Sequence, residues 1–438
     1  MSHSKLTIFT PVTSPRIQYA FYLIFDEILG IDHEITADAD AFLKVEGPKL
    51  SYAPNPLGNE LIIHACGLLS EKGIREQTVN SIIHDENVAL FPTSERYDLP
   101  FDPFAAAFYL ASRYEEYLPH KRDGYDRFSA VESIAFKKNF LHEPVVHHYA
   151  NSVKHILFSR YPELKAKERQ YRFVSTIDID NAWAYQEKGI LRTIGAYGRS
   201  LIKFDFDEVR ERTRVLLGTQ KDPYDTYDFQ LELQRKYGFE SIYFFLLGEY
   251  GTNDRNVPTD SRKLHSLIKS LADYAHTGIH PSFASNDRPA LLRKEIQVLR
   301  RILKRDVSRS RQHFLVLKFP DTYRNLLEHD ITDDHTMGFA AQPGFRAGMC
   351  VPFYFYDLDH EESTELRVHP FPVMDATLKY YLKIDPHQAL DVVKPLIDSV
   401  KKVNGEFQCL WHNESLSENR IWKGWRPVYE QIIREAVG

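Results

Sequence analysis

The stretch YRFVSTIDID, residues Tyr171–Asp180, decides how this chain reads. Tyr171 to Ile177 has the aromatic and β-branched content of a buried strand. Two aspartates one residue apart close it. Side chains alternate along a strand, so Asp178 and Asp180 point to the same side. Two like charges that close repel each other unless something positive lies between them. A metal on Asp180 supplies that charge and keeps Asp178 ionised. Taken alone, the pair also suits two surface or capping aspartates.

Working outward from this strand, the pattern alternates. Asp225 to Tyr237 reads as a helix stopped by Gly238, and Ser241 to Leu247 as an apolar strand. Asp260–Asp273 is a helix, a strand leads to His276, and Arg288–Arg305 is a helix. His313–Leu317 is a strand, Asp321–His329 and His387–Lys402 are helices, and Phe407–Trp411 is a strand. Such alternation implies parallel strands joined by crossover helices. A closed or nearly closed β/α barrel accounts for the number of units better than an open sheet. Chemistry in barrels sits at the C-terminal ends of strands. Asp178, Asp180, His276 and His412 fall at such ends.

The chain before Tyr171 mixes helical and strand patterns. Arg16–Leu29 has apolar residues at helical spacing, with Gly30 as the stop. Asp102-Pro103 opens a helix that runs towards Tyr117, Asp being a good N-cap and Pro tolerated at the first position. Its end, Arg113–Tyr117, reads as a solvated face or an interdomain contact. The charged run Pro162–Arg169 reads as a linker. The expected organisation is a smaller α/β domain over residues 1–168 and an α/β barrel domain over 169–438.

Composition narrows the function classes. The chain has 438 residues and a formal charge of 55 − 61 = −6. That mild acidity argues against a nucleic-acid partner, which needs a basic face. The 25 Tyr and 28 Phe suit aromatic walls that stack on sugars, but a well-filled core is the favoured reading. Three cysteines, Cys66, Cys350 and Cys409, are odd in number and widely spaced, so reduced thiols are expected. Met1–Thr10 lacks the basic and apolar regions of a secretory signal, and no apolar run approaches a transmembrane length. A cytoplasmic location is the expectation.

The histidines supply the chemistry. His276-Thr277-Gly278-Ile279-His280 presents two imidazoles, a ligand type that suits zinc, cobalt or nickel. Gly278 and Pro281 suggest a tight ligand loop. Asp180, His276 and His280 would hold three positions and leave the rest open to water and substrate. Asp178 is then free to act as a base. Arg311 is placed to orient the Asp178 carboxylate, or belongs to a basic run on a solvated helix face. His412, just past an apolar strand, suits a general acid for a leaving amine, or a structural histidine.

This set resembles the NodB-type polysaccharide deacetylases, the carbohydrate esterase family 4 group, from about Tyr171 to Asn413. Thr176–Asp180 looks like the family's first motif, which implies Asp178 as base and Asp180 as metal ligand. His276–His280 matches its His-Ser/Thr-x-x-His metal motif, Arg311 the arginine of the third, and Leu410-Trp411-His412 the last. By resemblance His412 is the catalytic acid. The earlier half resembles the less characterised domain that precedes the barrel in one bacterial branch, through Asp102–Tyr117. Gly338-Phe339 and Pro343–Gly348 share that likeness. Two departures stand out. His313 occupies the place of a proline beside Arg311, and the Asp-Trp pair of the fourth motif is absent. Asp375 and Asp334 are the candidates to tune His412, and Arg346 and Trp411 are assigned to the substrate pocket.

The resemblance implies a distorted (β/α) barrel of the NodB type. It also implies a divalent metal, zinc first with cobalt or nickel as alternatives. The expected reaction is hydrolysis of an N-acyl group, N-acetyl above others, on a sugar or glycan. Three other readings stand beside it. One is a non-catalytic glycan-binding protein on the same fold. Another is a deformylase or deacylase of a nucleotide- or lipid-linked sugar. A barrel glycosidase is disfavoured, because Asp178 and Asp180 are too close to flank a glycosidic bond.

Overall fold

The protein is described by a computed structural model covering residues 5–438. The first strands, β1 (Leu6–Phe9), β2 (His33–Thr36), β3 (Lys49–Ala53) and β4 (Leu61–His64), form a parallel sheet in the order β2-β1-β3-β4. A hairpin, β5 (Ser81–His84) and β6 (Asn87–Leu90), follows. The helix Pro103–Ala111 is buried at every residue, as its run of apolar side chains requires. Asp102 caps it by accepting from the N–H groups of Phe104 and Ala105, and Tyr52 donates to the same carboxylate at 2.8 Å.

The expected Arg16–Leu29 helix begins at Pro15 and widens to a π-helix over Tyr22–Leu29. Gly30 ends it with φ 59°, and a side chain there would strike Lys167. The charged run Pro162–Arg169 is therefore pinned and not a loose linker. Lys167 N–H donates to Gly30 O at 3.0 Å, and Arg169 grips Glu27 at 2.5 Å.

The second sheet carries the strands β7 (Arg172–Ile179), β8 (Glu240–Leu246), β9 (His276–His280), β10 (Arg309–Ser310) and β11 (Asp333–Asp334). It is completed by β12 (Phe353–Asp357), β13 (Glu362–Val368), β14 (Val373–Met374) and β15 (Glu406–His412). Their order is β12-β13-β11-β10-β9-β8-β7-β15-β14. Every pairing is parallel except β12 with β13. β7, β8 and β15 are buried along nearly their whole length, which is why they read as continuous apolar runs. The α/β class holds. Closure does not appear: among the described residues β12 and β14 remain the two edges.

Two sequence expectations fail locally. Residues His313–Leu315 form a short 3₁₀ turn in place of a strand, with Phe314 at φ 59° and Leu315 at φ 56°. Residues 276–280 form a strand in place of a ligand loop. Gly278 marks a close approach, because a side chain there would lie 2.6 Å from the Phe244 ring and 2.7 Å from Arg309 O.

The two sheets share one apolar core that runs from Leu6 to Ala436. The cluster read as a solvated face or interdomain contact is buried at the junction. Arg113 is fully buried and its φ of 54° breaks the helix before Tyr114–Tyr117. Glu116 accepts from Arg113 at 2.8 Å and from Arg346 at 2.6 and 2.9 Å. Arg16 similarly reaches Glu361 at 2.5 and 2.8 Å. No helix among the described residues is long and apolar enough to cross a membrane. Removing one member of a buried ion cluster leaves the others uncompensated, at about 3–5 kcal/mol. Glu116→Gln is therefore expected to destabilise the chain by about that amount in urea denaturation; a loss near zero would show that the arginines find other partners.

Candidate metal and catalytic site

Parallel strands deliver their C-terminal ends to one edge of the sheet. β7 brings Asp178 and Asp180 there, β9 brings His280, the turn after β10 brings Arg311 and His313, and β15 brings His412. In the β7–β15 register His412 lies directly beside Asp178.

Asp180, His280 and His313 form the tightest cluster, with their ligand atoms within 4.8 Å of one another. His280 Nε2 is 3.2 Å from Asp180 Oδ1, and His313 Nε2 is 3.4 Å from Asp180 Oδ2. The second nitrogen of each ring is already committed. His280 Nδ1 lies 2.5 Å from the Arg311 carbonyl, and His313 Nδ1 lies 2.8 Å from Asp254 Oδ1. A carbonyl or a carboxylate can only accept, so both Nδ1 atoms carry a proton, and Nε2 of each ring is the atom that faces Asp180 and would bind a cation on losing its own proton. Asp254 is fixed in turn by the N–H groups of Phe283 and Ala284. Such outer partners set the tautomer and raise ligand basicity.

This donor set suits a zinc-sized cation. Ligands at about 2.1 Å around a tetrahedral ion lie about 3.4 Å from each other. The two spacings to Asp180, 3.2 and 3.4 Å, are close to that. Asp180 Oδ1 is also buried with no hydrogen-bond donor among the described residues. The cluster draws positive charge. Burial pushes the Asp180 pKa up, but His313, His280 and His412 hold it well below the usual carboxylate range. Burial opposes charge on His313, yet Asp180 and Asp254 lift its pKa to about 9.

His276 is not part of this cluster. It sits at the opposite end of β9, exposed, 3.4 Å from Glu240. In a turn, residues four apart can share an ion; along a strand they are about 13 Å apart. His313, noted in the sequence as standing in place of a proline, occupies the third position. Asp254 was missed because a loop aspartate carries no periodic signal.

Asp178 is 2 % exposed and lies 3.7 Å from His280 Nε2. Arg311 Nη1 is 3.6 Å from its Oδ1, and Arg311 Nη2 donates to Thr176 at 2.8 Å. Arg311 is fully buried, which excludes the solvated-face alternative. On the other flank His412 Nδ1 meets Asp375 Oδ1 at 2.9 Å, and the His412 N–H donates to Asp375 Oδ2 at 2.8 Å. Burial disfavours the imidazolium, but Asp375, then Asp180 and Asp178, raise the His412 pKa well above its ordinary value. Asp334 does not reach His412; it accepts from Ser310 and Thr336.

The two residues assigned to the substrate pocket lie elsewhere. Arg346 spends its donors on Glu116 and Gly338 O. Trp411 is 1 % exposed and packs on Tyr429 at 4.9 Å. Alternation along β15 explains it: Leu410 and His412 face the cleft, so Trp411 faces away. The cleft above the cluster has a volume of about 470 Å³. Phe314, Met374, Tyr381 and Trp422 contribute to its walls, with Tyr125 and Arg127 from the earlier half. Arg127 donates to Phe314 O at 2.7 Å and to the Tyr381 hydroxyl at 2.8 Å.

Comparison with known proteins gives limited likeness. A family of unknown function, DUF7033, matches residues 6–162, less than half of the chain. No curated protein sequence matches. Among solved structures, a Mycobacterium smegmatis protein provisionally assigned as a polysaccharide deacetylase is similar at 12 % identity and TM-score 0.40. That match covers 62 % of this chain and 85 % of the other. Agd3, described as a novel carbohydrate deacetylase, aligns at 10 % identity and TM-score 0.39, over 99 % and 84 % of the two chains. The CE4-family pseudoenzyme BA3943 from Bacillus anthracis aligns at 10 % identity and TM-score 0.30, over 60 % of each. These scores are too low to carry fold or activity across, so the site must speak for itself.

Two variants separate the ligand sets. His313→Ala is expected to strip zinc from the purified protein, and His276→Ala to leave it bound, by elemental analysis. Asp254→Asn should weaken zinc binding by about 10–100-fold. Full zinc retention in His313→Ala refutes the cluster.

Proposed function

We propose that this chain is a metal-dependent hydrolase that removes an N-acyl group, N-acetyl first, from a sugar or glycan. The observation that carries the reading is a single constellation. A three-residue donor set, Asp180, His280 and His313, has a carboxylate, Asp178, on one flank and a carboxylate-paired imidazole, His412, on the other. A NodB-type arrangement of the second sheet, and an earlier unit over residues 1–168 that walls the cleft, belong to the same proposal.

A divalent ion held by Asp180, His280 and His313, when bound, acidifies water and polarises an acyl carbonyl. The rest falls to the side chains. Asp178, steadied by Arg311, accepts a proton from the attacking water as the new C–O bond forms. His412 enters protonated because Asp375 stabilises its charge. It gives that proton to the departing nitrogen as the C–N bond breaks. The products are a free amine and a carboxylic acid. The Asp178 proton then returns to solvent or to His412, and the cycle closes. The aromatic walls at Phe314, Tyr381 and Trp422 suit stacking on a sugar ring and exclude bulk water.

The direct test is a panel of N-acetyl and N-formyl sugars incubated with zinc-loaded protein, with acetate and formate detected. Release from at least one member is expected, and no release from any overturns the reading. Asp178→Asn should keep zinc and lose about 10²–10⁴-fold in turnover. The pH profile gives a second check. Activity needs protonated His412, and Asp375 raises its pKa, so the rate persists to higher pH than an unpaired imidazole allows. Asp375→Asn should move the alkaline limb of kcat/KM to lower pH; an unmoved limb excludes His412 as the acid.

A further inference from the structure

A second cleft of about 430 Å³ adjoins the first, with Tyr380, Glu414 and Trp422 as a common wall. Its lining includes six cationic side chains, Lys188, Arg192, Arg199, Arg212, Arg255 and Arg420, against two acidic ones, Glu208 and Glu414. The chain as a whole is acidic, at −6, so this concentration runs against composition. Helix periodicity produces it. Arg192 and Arg199, seven residues apart, share one face of the helix Ile190–Ile202, and Lys188 lies in the turn before it.

Ion pairing within the protein does not use this charge up. Arg212 pairs with Glu208, and Arg420 with Asp205 and Glu208. Among the described residues Lys188, Arg192, Arg199 and Arg255 have no carboxylate partner. Arg192 is held by the carbonyls of Lys188 and Asn256 and lies over the Tyr250 ring at 4.5 Å, which fixes its plane at the rim. Lys188 is anchored on Asn181, the residue after Asp180. Burial lowers the Lys188 pKa to about 7, and a bound anion is the partner that would restore its charge. Arginines held in place without a carboxylate are suited to bidentate capture of an oxyanion.

We propose that this cleft is an anion subsite of the adjoining site, taking a phosphate or carboxylate group carried by the N-acyl sugar. This rests on the hydrolase reading for the identity of the sugar, but the anion binding itself does not. The subsite lies across the Tyr380–Trp422 wall from the Asp180 cluster, so one ligand spans both: acyl group at the cluster, negative group among the arginines. Substrates lacking a negative charge would leave Arg192, Arg199 and Arg255 without an anionic partner.

The test is calorimetric titration of the zinc-loaded, full-length Asp178→Asn variant, which binds without turning over. The probes are N-acetylglucosamine, its 1-phosphate and the corresponding uronic acid, at low and high salt. At least one charged sugar is expected to bind about tenfold or more tightly than the neutral one, an advantage of about 1.4 kcal/mol. High salt should shrink that advantage. Adding Arg192→Gln and Arg255→Gln should abolish it while leaving neutral-sugar affinity and thermal midpoint in place. If that pair fails to fold, Arg255→Gln alone, at an exposed position, should reduce it. The charged sugar that binds more tightly identifies phosphate or carboxylate as the natural group. Equal binding of charged and neutral sugars, or an advantage that survives the substitutions, overturns the subsite. A charged preference without acyl release by the parent chain keeps the subsite and removes the hydrolase. Acyl release without a charged preference does the reverse.

Discussion

The crowding of two carboxylates on one side of β7 governs everything around it. A two-residue step on a strand separates Asp178 from Asp180 by only about 7 Å. With Asp178 buried and Asp180 partly so, they demand positive charge or donors from every direction. Arg311 answers for Asp178, and three imidazoles ring Asp180. Those groups need support of their own. Asp254 steadies His313, the Arg311 carbonyl steadies His280, and Asp375 steadies His412. A single pair of aspartates thus gathers neighbours and their supports from five separate segments, around Asp254, His280, Arg311–His313, Asp375 and His412.

The earlier half of the chain is part of this arrangement. Its Tyr125 stacks near Phe314 at 4.8 Å, and its Arg127 ties the left-handed turn after His313 to the hydroxyl of Tyr381. Behind the cleft, Glu115 and Glu116 together neutralise Arg113 and Arg346 in the shared core. One half supplies the clustered histidines and aspartates and the other braces the walls around them. The Arg346 guanidinium serves this joint and not the cleft.

Much of the fold was legible because the long strands are buried on both faces and the helices carry explicit caps. β7, β8 and β15 announce themselves as apolar runs, Asp102 opens one helix and Gly238 closes another. Asp178, Asp180 and His412 read at strand ends, His280 in a ligand loop and Arg311 at the opening of a strand, and the structure brings these five side chains together. What stayed hidden has physical causes. A glycine means a turn or a close contact, and sequence does not say which, so Gly278 made His276 look like a ligand. β10 is two residues long, too short for any periodicity, and it places His313, whereas Asp375, named beforehand as a candidate to tune His412, does reach it. Charge reads as exposure until its partner is known, which concealed the burial of Arg113 and Glu116. The helices Ile190–Ile202 and Phe206–Leu216 were not recognised, and with them the second cleft.

The position of β15 has a consequence for how the molecule is made. β7 is the first strand of its sheet to be synthesised, yet one of its two neighbours is β15, paired to it from Arg172 with Glu406 to Asp178 with His412. During translation β8 can dock on one side at once. The other side stays an open apolar edge until 234 further residues have followed Arg172. At bacterial or eukaryotic elongation rates that is roughly 10–50 s. An unpaired strand edge is a template for wrong partners. The nascent chain therefore carries an unpaired apolar edge beside the Asp178–Asp180 pair, and the last strand to arrive is the one that seals it.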